Sequence, residues 1–203
     1  MKAKICGLTT LEQVQTCIDY KANFCGFILN YKKSHRYINK QVLKEITNVV
    51  KKNTSFVGVL VEPTRIELKE FSFFNLDYFQ IYGEIEKDQI TSIKNLYNKK
   101  IIMTIQIKKK EDILKYKKYE DVADIILFDS SGLHKSLSWN YNWIKKVPNS
   151  VTRMLAGNLD TDMLENLKEI TDIVDVSGAL ETNKVKDIEK IIKFLKKVNK
   201  INE

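Results

Sequence analysis

The sequence predicts a closed (β/α)8 barrel of parallel strands, built as one domain from residues 1–203. Three observations lead there. Short apolar runs alternate with amphipathic stretches at helical spacing, which argues for parallel sheet. The alternation recurs eight times with short connections, and eight such units in 203 residues match the lower size limit of the closed barrel. The competing doubly wound sheet usually carries fewer strands, and the first turn lacks the Gly-x-Gly-x-x-Gly expected there.

Each element has its own justification. The first strand is Ala3–Cys6, and Leu11, Val14, Cys17 and Ile18 place one apolar face on a helix over Thr10–Tyr20, with Thr9 or Thr10 as its cap. The second strand, Phe24–Leu29, is apolar throughout, as in a sheet covered on both sides. A helix over Asn39–Lys51 follows, then a third strand over Ser55–Val61. Pro63 and Thr64 open a helix to about Phe71, proline being tolerated at a helix start. The fourth strand is Asp77–Tyr82 and its helix Lys87–Tyr97; the fifth is Lys100–Ile107 and its helix Lys110–Tyr119. The sixth strand, Ala123–Asp129, leads through a polar loop over Ser130–Ser138 to a short helix over Trp139–Lys146. The seventh strand is Val151–Ala156, with a helix over Asp160–Glu169 capped by Asp160. The eighth is Ile173–Val176, and an amphipathic helix over Lys186–Val198 closes the chain.

Composition excludes several classes. The net charge of +8 comes from lysines scattered through every segment, with arginine only at positions 36, 65 and 153. A nucleic-acid surface concentrates arginine and aromatic residues on one face, so no nucleic-acid partner is expected. Three cysteines, two histidines and no Cys-x-x-Cys argue against a disulfide framework and a structural zinc site. No apolar run approaches the roughly 18 residues that span a bilayer, and no signal-peptide core is visible. A cytoplasmic location without a membrane partner is expected.

In a barrel of this kind the reactive groups sit at the carboxyl ends of the strands. Cys6 ends the first strand and Asp129 the sixth, so the two face each other across the mouth. A thiolate can take a proton from carbon and a carboxylic acid can donate one, provided the thiol pKa is lowered and the carboxyl pKa raised. Gly157 and Gly178 follow the seventh and eighth strands, where backbone N–H groups can approach an anion. Arg36, beside Ser34, suits a carboxylate. Cys17 and Cys25 read as core residues, Trp139 and Trp143 as packing, Glu181 as structural, and Tyr82 stays open between filling space and a site role.

The opening Lys4-Ile5-Cys6-Gly7-Leu8-Thr9 resembles the signature of phosphoribosylanthranilate isomerase, an enzyme of tryptophan biosynthesis. Six further matches follow in order along the chain. They are Gly26-Phe27-Ile28 with Ser34-His35-Arg36-Tyr37-Ile38, Val57–Val61, Gln80-Ile81-Tyr82-Gly83, and Leu127-Phe128-Asp129 with Gly132, Lys135 and Trp139. The last two are Leu155–Leu159 and Asp175–Glu181. The chain departs from the family pattern at Tyr82, His134, Asn158 and Ala179.

The resemblance implies an Amadori rearrangement of N-(5′-phosphoribosyl)anthranilate, with Asp129 as general acid and Cys6 as general base. It implies Arg36 on the anthranilate carboxylate, and Gln80, Gly157, Asn158, Asp175, Ser177 and Gly178 among the substrate-binding residues. No cofactor and no metal is implied, and the partner is a small phosphosugar. A monomer is expected, with a dimer as the alternative. The rival functional reading is a non-catalytic or differently specific phosphosugar-binding barrel descended from this family.

Overall fold

The computed structural model describes residues 1–130 and 137–203. Eight parallel strands close into a barrel in sequence order. They are β1 (Lys2–Cys6), β2 (Phe24–Ile28), β3 (Ser55–Val61), β4 (Tyr78–Tyr82), β5 (Lys100–Ile107), β6 (Ile125–Ser130), β7 (Arg153–Leu155) and β8 (Ile173–Val176). Closure pairs β1 with β8, placing Lys4 opposite Asp175. The helices between them are α1 (Leu11–Asp19), α2 (Lys40–Ile46), α3 (Arg65–Ser72), α4 (Lys87–Tyr97), α5 (Leu164–Leu167) and α6 (Ile188–Ile201). No helix among the described residues is long and apolar enough to cross a membrane.

The period of two along each strand sorts side chains into two cores. Val57, Ile102, Leu127, Met154 and Ile173 fill the barrel interior. The alternate residues, such as Ile5, Phe27, Leu60 and Phe128, pack outward beneath the helices.

Helix starts follow the sequence. Thr10 caps α1 by accepting from the Gln13 N–H, and Thr64 and Glu67 form a reciprocal capping box on α3. Helix ends differ more. The helix expected to Lys51 stops at Ile46, where Thr47 folds its hydroxyl back onto the Leu43 carbonyl and β-branched Val49 and Val50 follow. Lys110–Lys118 and Tyr141–Lys146 are 3-10 rather than α-helical. Asp112 ties down the first by accepting from the N–H groups of Lys108 and Lys109. Asp160 turns the chain through the N–H groups of Asp162 and Met163, and regular helix begins only at Leu164.

Two features were not anticipated. A two-stranded hairpin, β9 (Glu181–Thr182) and β10 (Val185–Lys186), follows β8. Its turn residues Asn183 and Lys184 are both left-handed, at φ 52° and 64°, as a two-residue hairpin loop requires. At the opposite rim of the barrel, one device recurs four times. Asn23, Asp77, Asp124 and Asp172 stand just before β2, β4, β6 and β8. Each side chain accepts from a backbone N–H of the preceding strand: Ala3, Phe56, Ile101 and Arg153.

Candidate active site

The carboxyl ends of the strands surround a cavity of about 420 Å³. Cys6, Arg36, Asp129, Gly157, Asn158, Asp175, Ser177 and Gly178 all line it. Gln80 does not: it is completely buried one layer below, and neither polar atom of its amide has a hydrogen-bond partner among the described residues. The structure thus places Gln80 in the barrel interior, away from the cavity wall. Gly132, His134 and Lys135 lie outside the described residues.

Asp129, last but one in β6, faces the cavity. One carboxylate oxygen accepts from the Ser130 N–H at 2.7 Å and the other from the Tyr82 hydroxyl at 2.8 Å. Burial raises its pKa to about 6, against the lowering effect of the Tyr82 hydrogen bond, with the Asp175 charge adding to the rise. The carboxyl is thus tuned upward, as a general acid needs. Tyr82 holds this acid in place rather than merely filling space.

Cys6 is 8% exposed at the end of β1. The lowered thiol pKa expected from sequence is not found. Burial raises it, and the nearby Lys4 ammonium offsets only part of that rise. The charge nearest the sulfur is an ion pair inside the barrel: Lys4 donates to both carboxylate oxygens of Asp175 at 2.9 Å. Lys4 stands two residues before Cys6 on the same face of β1, so its position follows from the strand period. A lysine inside an apolar strand was the signal that could have marked it.

The turn after β7 is built to approach an anion closely. Gly157 has φ +111°, and a Cβ there would come within 2.8 Å of the Trp139 ring nitrogen and 2.9 Å of the Leu137 carbonyl. Only glycine meets both conditions. Asn158 is left-handed at φ 51°, a conformation asparagine tolerates. Trp139 donates to the Ala156 carbonyl and Tyr141 to the Gly157 carbonyl, at 3.0 and 2.6 Å. Trp139 therefore shapes the turn as well as packing. After β8, neither Gly178 nor Ala179 has a positive φ, so alanine at 179 carries no left-handed strain. Ser177 donates its hydroxyl to the Cys6 carbonyl at 2.9 Å, tying this turn to β1.

Arg36 reaches the cavity across Gly7, whose φ of +78° and missing Cβ leave room for the arginine stem; a Cβ would lie 2.4 Å from it. Its guanidinium is forked onto Glu181 of β9 through Nε and Nη2. Among the described residues, no group of three or more His, Cys, Asp or Glu side chains could hold a metal ion.

Comparison with known proteins matches this geometry. The family model for N-(5′-phosphoribosyl)anthranilate isomerase matches residues 3–197. The N-(5′-phosphoribosyl)anthranilate isomerase of Thermoanaerobacter pseudethanolicus is 32% identical over 196 residues, covering 92% of both chains. That of Rhizobium johnstonii is 30% identical, covering 98% of this chain and 94% of the relative. The crystal structure of the Thermotoga maritima phosphoribosylanthranilate isomerase shares the fold at a TM-score of 0.88 with 23% identity, covering 98% of this chain and 99% of that one. A phosphoribosylanthranilate isomerase in complex with reduced 1-(o-carboxyphenylamino)-1-deoxyribulose 5-phosphate superimposes at a TM-score of 0.85, with 23% identity and the same coverage. A match along nearly the whole chain settles the lineage: the chain belongs to the N-(5′-phosphoribosyl)anthranilate isomerase family.

Proposed function

We propose that the protein performs the isomerisation of N-(5′-phosphoribosyl)anthranilate in tryptophan biosynthesis with Asp129 as general acid and Cys6 as general base. The carrying observation is that these two groups, from opposite sides of the barrel, line one cavity while the carboxyl titrates near 6. The chemistry needs one proton given to oxygen and one taken from carbon.

Asp129 donates its proton to the ribose ring oxygen. The anthranilate nitrogen pushes in its lone pair, the bond from C1′ to that oxygen breaks, and a protonated Schiff base forms. The Cys6 thiolate takes the C2′ proton; the electron pair of that bond becomes the C1′–C2′ double bond, and the iminium nitrogen becomes neutral. The enol then loses its hydroxyl proton while C1′ gains one, leaving the 2′-ketone. The substrate's own nitrogen is the electron sink, so the steps require no cofactor.

The remaining cavity residues divide by charge. Arg36 takes the anthranilate carboxylate, and the turns carrying Gly157, Asn158, Ser177 and Gly178 take the phosphate. Asp175 acts through Lys4 beneath the base. The 1–203 chain works as one domain, and a cytoplasmic monomer is the form we propose, with a dimer as the alternative; sedimentation of the purified protein decides between them.

The test is turnover. Purified protein is given freshly generated phosphoribosylanthranilate and the loss of its fluorescence is followed. Turnover lost in both Cys6→Ala and Asp129→Asn, with folding intact by circular dichroism, supports the assignment. A folded wild-type chain without turnover overturns it in favour of a binding descendant.

A further inference from the structure

The hairpin after β8 brings a carboxylate into the cavity where a cation would be expected to stand free. Glu181 is nearly buried, and three basic side chains converge on it. Arg36 donates from Nε and Nη2, Lys186 donates from Nζ, and the His35 ring nitrogen lies at 3.1 Å. Lys186 is itself buried and also donates to the carbonyl and hydroxyl oxygens of Ser177, at 3.2 and 3.3 Å. A carboxylate so placed could compete with an incoming carboxylate for Arg36, or it could hold the guanidinium for it.

Geometry favours holding. A guanidinium is planar, and its donors form a rigid fork. Glu181 occupies the edge made by Nε and Nη2, so the N–H groups left over lie on Nη1 and the far side of Nη2. The arginine stem is fixed at its other end, where it crosses Gly7, and its backbone N–H donates to the Ser34 hydroxyl. With both ends held, the free end of the guanidinium has one direction left. Lys186 keeps Glu181 from swinging away when the substrate arrives, and balances its charge, so the cluster stays cationic overall. Burial alone would raise the Glu181 carboxyl, but hydrogen bonds from Arg36 and Lys186 hold it near 2, so it is an acceptor at any working pH.

We infer that Glu181 is a positioning residue for substrate recognition: it occupies one edge of Arg36 so that the other presents a fixed fork to the aromatic carboxylate of the ligand. This rests on the isomerase reading, in which that ligand carries both a carboxylate and a phosphate.

Two non-reactive probes isolate the carboxylate. One is the reduced 1-(2-carboxyphenylamino)-1-deoxyribulose 5-phosphate; the other is its counterpart made from aniline, which lacks the carboxylate. The wild-type chain is expected to bind the first at least ~10-fold more tightly, as a charge-assisted fork should. In Glu181→Gln the preference is expected to fall by ~10-fold or vanish, while the aniline compound binds within ~3-fold of wild type. Glu181→Asp is expected to keep part of the preference, and Arg36→Ala to abolish it.

An unchanged or enlarged preference in Glu181→Gln overturns the inference, since Glu181 then only competes. Equal weakening of both probes overturns it too, because the role is then general support. If Glu181→Gln does not fold, Glu181→Asp is read alone, and a preference equal to wild type counts against the inference. A preference surviving in Arg36→Ala places the carboxylate on another cation, such as Lys184, and also overturns it. Wild-type turnover in the same preparation is a separate readout: its absence rejects the isomerase reading, whereas the two-probe ratio judges Glu181.

Discussion

The Nζ of Lys4 lies 2.9 Å from both carboxylate oxygens of Asp175, sealed inside the barrel directly beneath the Cys6 thiol. The lysine has no exposed surface. Both charges forfeit water, so the pair is tolerated only because each satisfies the other.

Removing one member should therefore be costly. Lys4→Met leaves the Asp175 carboxylate uncompensated and is expected to lose about 3–5 kcal/mol. The double variant Lys4→Met/Asp175→Asn is expected to recover most of that in urea unfolding. A second readout concerns Cys6, whose thiol Lys4 pulls downward. Carbamidomethylation of Cys6 in Lys4→Met should require higher pH than in the wild type.

Asp129 links function to stability with opposite signs. Its folded pKa of about 6 lies above the ordinary 3.8. The stability it contributes is fully present below the unfolded value and is lost as pH rises through about 6. Asp129→Asn, which cannot ionise, should accordingly be more stable than wild type at pH 8 by about 3 kcal/mol, with no advantage at pH 3.5. The same variant should lose about 10²–10⁴-fold in kcat/KM. Thermal unfolding at the two pH values and steady-state kinetics check the pair of expectations.

Rate against pH should show a broad plateau. The competent state needs a carboxylic acid titrating near 6 beside the thiolate form of a cysteine whose pKa burial has raised. Between the two titrations it makes up a small and constant share of the protein. The profile of kcat/KM should fall below about 6 and again at alkaline pH, where the raised thiol titrates. In Tyr82→Phe the hydrogen bond that lowers the Asp129 pKa is gone, so the acid limb should move to higher pH. An unmoved limb would remove Asp129 as the group that titrates there.

The four side-chain clamps at the lower rim should matter to stability and not to chemistry. Asp124→Ala strands the buried Ile101 N–H, which Asp124 now accepts at 2.8 Å. A loss of about 1–3 kcal/mol in urea unfolding is expected, with kcat/KM within ~2-fold of wild type. A large kinetic defect would show that the two ends of the barrel are coupled.

Much of this was legible in the chain. The alternation of apolar runs and amphipathic stretches gave strand order and closure, because side-chain period is a local property of the backbone. That order alone put Cys6 and Asp129 at facing strand ends, and the turns of Gly157 and Gly178 beside each other. The lysine in Lys4-Ile5-Cys6 carried a readable signal too, being two residues from the thiol on one face.

What the sequence could not yield were the quantities set by partners far away along the chain. The direction of the Cys6 shift depends on burial outweighing a cation, and burial exists only once the barrel closes. Gln80, which the resemblance placed among the substrate-binding residues, sits one layer down, because the depth of each residue is set only when the strands stagger into a closed barrel. Glu181 meets Arg36 across 145 positions, through a hairpin with no pattern long enough to announce it. Local sequence determined the order of the strands and the kinds of groups at their ends; tertiary closure decided which of them touch, because desolvation and pairing are properties of the assembled cavity.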